Sequence, residues 1–329
     1  MEKLRNLKDR ICSWDNLLLA YKEAAQNKRY RGEVIAFSFM LEENLHAIRD
    51  ELLNCSYTVG NYREFYVSYP KPRLVMALGF RDRIVQWAIY RQINPYVDKR
   101  FIHHSYGCRE NRGTLAAAQC MLNWMQLISR KPDQKKWAII KGDISKYFYR
   151  VDHSIIMDIY AGITDDVGMP IGNLTSQATA NLYLDRLDQF VKHRLRQHYY
   201  LRYMDDFAIF FKKRDARAIL AELRLSISPK SAILPATQPV EFVGYTVTPH
   251  GLRLREKTTK HMKSSLKRVS EMYASGEINF SKARATVTSY IGMTQNCNGH
   301  NMRRWIEENI SFSRGGAKEG TIIYEQIGF

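Results

Sequence analysis

The period of apolar positions changes several times along the chain, and each change marks an element. Phe37, Leu41, Leu45, Ile48 and Leu52 recur at steps of three and four, the spacing that gathers side chains on one helical face. They predict an amphipathic helix over residues 34 to 54, with a shorter helix before it from about Asp15. Tyr62 to Tyr69 and Arg73 to Leu78 are β-type runs joined by Pro70-Lys71-Pro72, which predicts a hairpin with a basic tip. Helices follow at roughly 81 to 93 and 114 to 129. Trp137 to Gly142 then reads as a buried strand that ends on Asp143. A short helix, a loop from Gly168 to Gln177 and a long helix running to about His198 come next. Tyr199 to Tyr203 and Phe207 to Phe211 are apolar strands around a tight turn, and Val240 to Val247 turns at Pro249-His250-Gly251 into Leu252 to Arg255. From Lys257 the pattern is helical. Met262, Leu266, Val269, Met272 and Tyr273 form one face, Lys260, Lys263 and Lys267 another, and Gly276 supplies the stop. Helices near 281 to 293 and 301 to 311 complete a small bundle.

The tight turn carries the chemistry. Tyr203-Met204-Asp205-Asp206 places two adjacent carboxylates between strands, an arrangement that alone is usually just a solvated turn. Asp143, delivered by a separate strand, supplies a third carboxylate. Two divalent cations about 4 Å apart need several hard oxygen ligands, and an in-line phosphoryl displacement uses such a pair. Asp143, Asp205 and Asp206 fit that need. Asp165-Asp166 is also a pair, but it has no strand on either side and is read as loop. Asp152 and Asp188 lie in helix-like surroundings and are assigned capping or solvated roles.

Charge narrows the class of partner. In 329 residues, 45% hydrophobic and 25% charged, 50 Lys and Arg stand against 33 Asp and Glu, a net charge of +17. A chain of this composition can bury a core and form two or three subdomains. The positive excess is spread along the whole length, which points to a groove for a polyanion, nucleic acid first. An anionic membrane surface is disfavoured, because the charge is not gathered on one amphipathic helix or beside a lipidation signal. The N-terminal segment lacks a hydrophobic core of the signal-peptide kind, and no apolar run approaches membrane-spanning length. Cys12, Cys55, Cys108, Cys120 and Cys297 are odd in number, widely spaced and free of C-x-x-C pairs, the usage expected of reduced thiols in a cytoplasm. His103-His104 and Cys108 lack an apparent fourth zinc ligand.

The order of strand-borne Asp143, a loop with Ser176-Gln177, Tyr-Met-Asp-Asp, Lys230 in Ser228-Pro229-Lys230-Ser231, and Phe242-Val243-Gly244-Tyr245 resembles the palm motifs of reverse transcriptases, over roughly residues 60 to 310. Within them, Ile171-Gly172-Asn173-Leu174-Thr175-Ser176-Gln177 resembles the signature of reverse transcriptases from diversity-generating retroelements, where most relatives carry Gln-Gly and Ser-Pro. Lys71-Pro72-Arg73-Leu74-Val75 and His104-Ser105-Tyr106-Gly107-Cys108-Arg109 also resemble that family's finger motifs.

The resemblance implies an α+β right-hand polymerase with an N-terminal helical extension (1–60), fingers with part of the palm (61–135), palm with an antiparallel sheet (136–255), helical thumb (256–313) and a short tail (314–329). It implies RNA-templated synthesis of cDNA from a template-repeat RNA with errors at adenines, for mutagenic retrohoming. The partners implied are template RNA, a primer strand, dNTPs and a small basic accessory variability determinant protein, in the cytoplasm of a bacterium or phage-infected host. Two Mg²⁺ ions, with Mn²⁺ as a substitute, would be held by Asp143, Asp205, Asp206 and the backbone of Ile144. Lys230 would protonate the leaving pyrophosphate. Lys71 and Arg73 would hold the incoming triphosphate, Phe148 would exclude ribonucleotides, and Ile171 and Gly172 would line the nascent pair. Ser105, Arg109, Ser176, Gln177, Tyr203, Met204, Gly244, Tyr245, Lys260, Lys263 and Lys267 would contact template or primer. The intervals Asp143 to Gly168 and Asp206 to Lys230 are shorter than the resemblance implies. Two other readings stay open: a retron-type or abortive-infection defence enzyme, and a catalytically silent RNA-binding or splicing-helper protein.

Overall fold

The computed structural model describes residues 4–67, 73–144, 153–161, 173–215, 232–314 and 317–318. The chain divides into two compact units: residues 1–108 with 146–194, and residues 109–145 with 195–329.

The first unit is mainly helical. α1 (Leu7–Ile11), α2 (Trp14–Ala25), α3 (Gly32–Phe39) and α4 (Leu41–Leu53) precede a hairpin of β1 (Arg63–Val67) and β2 (Arg73–Ala77), and α5 (Phe80–Asp98) follows. The unit resumes with α7 (His153–Ala161) and α8 (Asn173–Gln189). Its core joins Leu17, Ala20, Leu45 and Ile48 to Ile84, Ala88 and Ile89 of α5 and to Leu182 of α8. Where one helix is predicted over 34 to 54, two are found. The chain breaks at Met40 (φ −124°, ψ 51°), and Asn44 Nδ2 donates to the Phe37 carbonyl at 3.1 Å across the break. The apolar spacing runs on through Met40, which is why periodicity alone merged the two. α5 is longer than predicted and carries Pro95 inside it. The long helix also stops early, giving way to a wider turn over Phe190–Arg194.

Asp188 corrects a sequence-based expectation. Instead of capping or facing solvent it is fully buried on α8, and it has an interaction partner there. A buried carboxylate is tolerated only when paired.

The second unit is built on a four-stranded antiparallel sheet of β3 (Trp137–Asp143), β4 (Tyr200–Tyr203), β5 (Asp206–Lys212) and β6 (Ala232–Pro235), ordered β4-β5-β3-β6. The near-continuous apolar run of β3 is what a central strand needs, since it packs on both faces: Trp137, Ala138, Ile139 and Ile140 are all buried. α6 (Thr114–Ser129) packs on β4, and Trp124 meets Tyr199 and Phe210 edge-on at 5.5 and 6.0 Å. Where one hairpin is predicted from Val240 to Arg255, there is a three-stranded meander of β7 (Val240–Phe242), β8 (Tyr245–Thr248) and β9 (Gly251–Leu254). Its extra turn is Val243-Gly244, with φ of 42° and 92°, positive at both positions as a two-residue hairpin turn of this twist requires. α9 (Glu256–Ala274), α10 (Phe280–Gln295) and α11 (His300–Asn309) pack around Met262, Leu266, Val287, Ile291 and Ile306. No helix of the described residues is long and apolar enough to cross a membrane.

Candidate active site

Strand register brings the carboxylates to one end of the sheet. Asp143, the last residue of β3, lies opposite Asp206, the first of β5, and Asp206 lies opposite Tyr203 on its other side. Asp205 and Met204 form the two-residue turn between β4 and β5. The Ile144 amide donates to the Asp205 carbonyl at 3.1 Å, so pairing continues one step past Asp143 and ties the turn to β3. Because side chains alternate across a strand, Lys141 and Asp143 share a face with Asp206 and Ala208, while Gly142 and Phe207 point to the other.

Gly142 is required there. A Cβ at this position would lie 2.2 Å from the Phe207 ring, and Phe207 is fully buried beside Asp206. On the same side, Arg202 is buried completely within β4, and its Nη1 donates to the Met204 carbonyl at 3.0 Å. Met204 has φ 54°, an uncommon conformation for a long side chain that persists where surroundings over-determine it. The Arg202 bond is one such constraint. Sequence reading passes over Arg202, because a charged residue in a strand beside a turn ordinarily faces solvent. The signal that could have found it is the polar residue at a position whose strand neighbours are all apolar.

The electrostatics of the cluster follow from this packing. The Asp206 carboxyl is pushed up to about 6, first by burial and then by the negative charge of Asp205 and Asp143, with Lys141 and Arg255 opposing. Arg255, also overlooked in the sequence, follows β9, and its amide donates to the Gly244 carbonyl at 3.2 Å. Its buried Nε has no hydrogen-bond partner among the described residues. Oxygen-only donors that repel one another suit a hard divalent cation. The described residues contain no group of three His, Cys, Asp or Glu side chains already placed to hold an ion; strand register brings the Asp143 and Asp206 backbones opposite one another.

The remaining positions divide. Tyr245 is buried opposite Leu254, which leaves the Val243-Gly244 turn as the accessible part of that motif. Ser105 is fully buried, and Arg109 is half-buried. Lys260 is exposed and pairs with Glu256 at 2.7 Å, one helical turn away. Lys263 lies over the Trp305 ring at 4.7 Å, and Lys267 is exposed. Arg73 begins β2, opposite Val67, and Ser176 and Gln177 fall in the first turns of α8. Lys71, Phe148, Ile171, Gly172 and Lys230 lie outside the described residues, as do Asp152 and Asp165-Asp166.

A strand-end carboxylate beside a hairpin that presents two more is the arrangement of a nucleotide-polymerising palm. Residues 68–267 match the family described as reverse transcriptase (RNA-dependent DNA polymerase). With more than half of its length matched, the chain belongs to that family, whose fold is the right-hand polymerase. It is 29% identical over 181 residues to Protein YkfC of Escherichia coli, covering 47% of this chain and 47% of that protein. It is 23% identical over 168 residues to the Putative COX1/OXI3 intron 2 protein of Saccharomyces cerevisiae, covering 43% of this chain and 18% of that protein. The chain thus spans about half or less of these relatives. A telomerase from Candida albicans, solved with a fragment of telomeric RNA, aligns with 67% of this chain and 51% of its own at a TM-score of 0.43 and 8% identity.

Proposed function

We propose that this chain is an RNA-directed DNA polymerase that copies a template-repeat RNA into cDNA, with errors at template adenines, for a diversity-generating retroelement. The observation that carries the polymerase reading is the register that sets Asp143 opposite Asp206 with Asp205 in the adjoining turn. Ile171-Gly172 and Ser176-Gln177 support the narrower reading over a retron-type or defence enzyme.

Asp143, Asp205 and Asp206, with the Ile144 backbone, would hold two Mg²⁺ ions. When bound, such ions supply activation of the primer 3′-hydroxyl and charge stabilisation of the departing pyrophosphate. The rest falls to the chain. Lys141 and Arg255 offset part of the negative charge around Asp206 and so favour the ionised form that can act as a ligand. Arg202 and Gly142 fix where the turn and β3 meet. Lys71 and Arg73 would grip the triphosphate, and Lys230 would give a proton to the pyrophosphate oxygen as the bond to the α-phosphorus breaks. Ile171 offers the nascent pair shape but no hydrogen bond, and a lost polar discrimination of about 1 to 3 kcal/mol raises misincorporation roughly 10- to 200-fold.

Primer extension on a defined RNA with dNTPs and Mg²⁺, followed by sequencing of the product, tests this reading. The expected result is cDNA that vanishes in Asp205→Ala/Asp206→Ala, with errors concentrated at template adenines and reduced in Ile171→Gln. Faithful cDNA would favour a retron-type or defence enzyme. No cDNA, even with an accessory protein present, would favour a silent RNA-binding protein.

A further inference from the structure

The central sheet has a second polar end. Trp137, the first residue of β3, lies opposite Lys212, the last of β5, just as Asp143 lies opposite Asp206 at the other end. Six residue steps of about 3.4 Å put the two ends roughly 20 Å apart. Two segments distant in sequence meet at the far end: the stretch leaving α6, with Arg130, Lys131, Lys135 and Lys136, and the end of β5, with Lys212 followed by Lys213. Asp133 neutralises only part of this charge. It accepts from Trp137 Nε1 at 3.3 Å and pairs with Lys212 at 3.2 Å. Arg130, Lys135, Lys136 and Lys213 are exposed, and none has a carboxylate or ring partner among the described residues. A charge run on one segment is ordinarily a solvated face; here strand pairing concentrates cations from separate segments at one place.

The rings beneath them decide what kind of contact this end can make. Lys131 Nζ sits 4.4 Å from the Trp137 ring centre and 5.3 Å from that of Tyr199, and Lys212 Nζ sits 5.9 Å from Trp137. Trp137 is itself buried and meets Tyr199 edge-on at 5.7 Å. The aromatic faces are therefore occupied by lysines and leave no platform for stacking a base. Among these residues there is also no exposed apolar anchor of the kind that dominates protein–protein contacts. What remains, in Arg130, Lys135, Lys136 and Lys213, is a set of ammonium and guanidinium groups without a charged partner among the described residues, the chemistry that binds phosphates without reading sequence.

We propose that this end of the sheet is a second nucleic-acid contact, which grips the phosphate backbone of RNA flanking the stretch being copied. Its separation from the carboxylates means that the nucleotides it holds are not those reacting. The proposal rests on the polymerase reading only in taking RNA as the ligand.

The test compares wild type with Lys135→Ala/Lys136→Ala/Lys213→Ala, three exposed positions that make no ion pair among the described residues. Binding is read by fluorescence anisotropy across a salt series, with a short primer–template duplex and with the same duplex carrying a long single-stranded RNA flank. Three phosphate contacts at a slope of about 0.7 each make the flanked RNA bind roughly 10- to 50-fold more weakly near 0.15 M salt, with a log–log salt slope shallower by about 2. Affinity for the short duplex and its rate of extension should not change. If the flanked RNA loses no affinity, the proposal is overturned and an acidic protein becomes the candidate partner. Equal losses on both substrates would overturn it as well, because the cations would then be acting at the copying groove. If wild type fails to extend the duplex, the polymerase reading fails on its own, while the flank-dependent difference in binding still reports on the cluster.

Discussion

Replacing Asp206 by Asn removes a charge that the folded chain holds unfavourably. Burial and the neighbouring Asp205 and Asp143 raise this carboxyl from 3.8 to about 6, so the folded state prefers it protonated. The stability linked to that preference is fully present below pH 3.8 and is lost as pH rises through about 6. At about 1.4 kcal/mol per pH unit the loss amounts to about 3 kcal/mol at pH 7.5 and roughly half that at pH 5. Asn resembles the protonated acid in shape and carries no charge, so Asp206→Asn should escape most of this cost. Thermal unfolding without divalent ions is expected to show the variant melting roughly 5 °C above wild type at pH 7.5. The gap should narrow steadily towards pH 4. Adding Mg²⁺ should raise the wild-type midpoint more than the variant's, because only the wild type presents the full carboxylate set to a ligand that stabilises the folded state by mass action. Primer extension should be lost in the variant despite its stability. A variant that melts at or below wild type at pH 7.5, or a gap that does not change with pH, would refute the reasoning.

Other expectations follow from the same packing. Gly142→Ala puts a Cβ against the Phe207 ring and should cost about 1 to 3 kcal/mol, read by denaturant unfolding, with a fall in extension rate as Asp206 shifts from Asp143; unchanged stability would mean that the ring yields freely. Arg202→Met deletes the bond to the Met204 carbonyl and should cost about 1.5 to 3 kcal/mol; a variant as stable and active as wild type would show that the turn holds itself. Val243→Asn installs the residue that tolerates φ 42° ahead of Gly244 and should stabilise by roughly 1 kcal/mol, and a lower melting temperature would count against the assigned turn.

Much of this molecule is legible without coordinates, and the reason is local. The apolar run from Trp137 to Ile140 can only be a buried strand, the helical spacing from Met262 to Tyr273 only one face of a helix, and Tyr-Met-Asp-Asp between two apolar strands only a turn that presents acids. These patterns are enforced by neighbours in the chain, so the strand, the turn and the three carboxylates were all in the sequence. The break at Met40 was not, because spacing of apolar side chains survives a change of axis. Neither was the second turn at Val243-Gly244, since a β-branched residue is a poor sequence signal for positive φ.

What the chain alone could not give was what lies across from what. That Asp206 faces Asp143, that Phe207 covers Gly142, that Arg202 runs beneath the turn and that Lys141 and Arg255 temper its charge are decided by strand register, which depends on pairings between residues far apart in sequence. The same pairing gathers lysines at the opposite end of the sheet, where separate runs of ordinary surface charge become one concentrated patch. Sequence by itself determined which groups are available for the chemistry. Only the tertiary structure decided which of them share a face, because burial and Coulomb forces act through space and not along the chain.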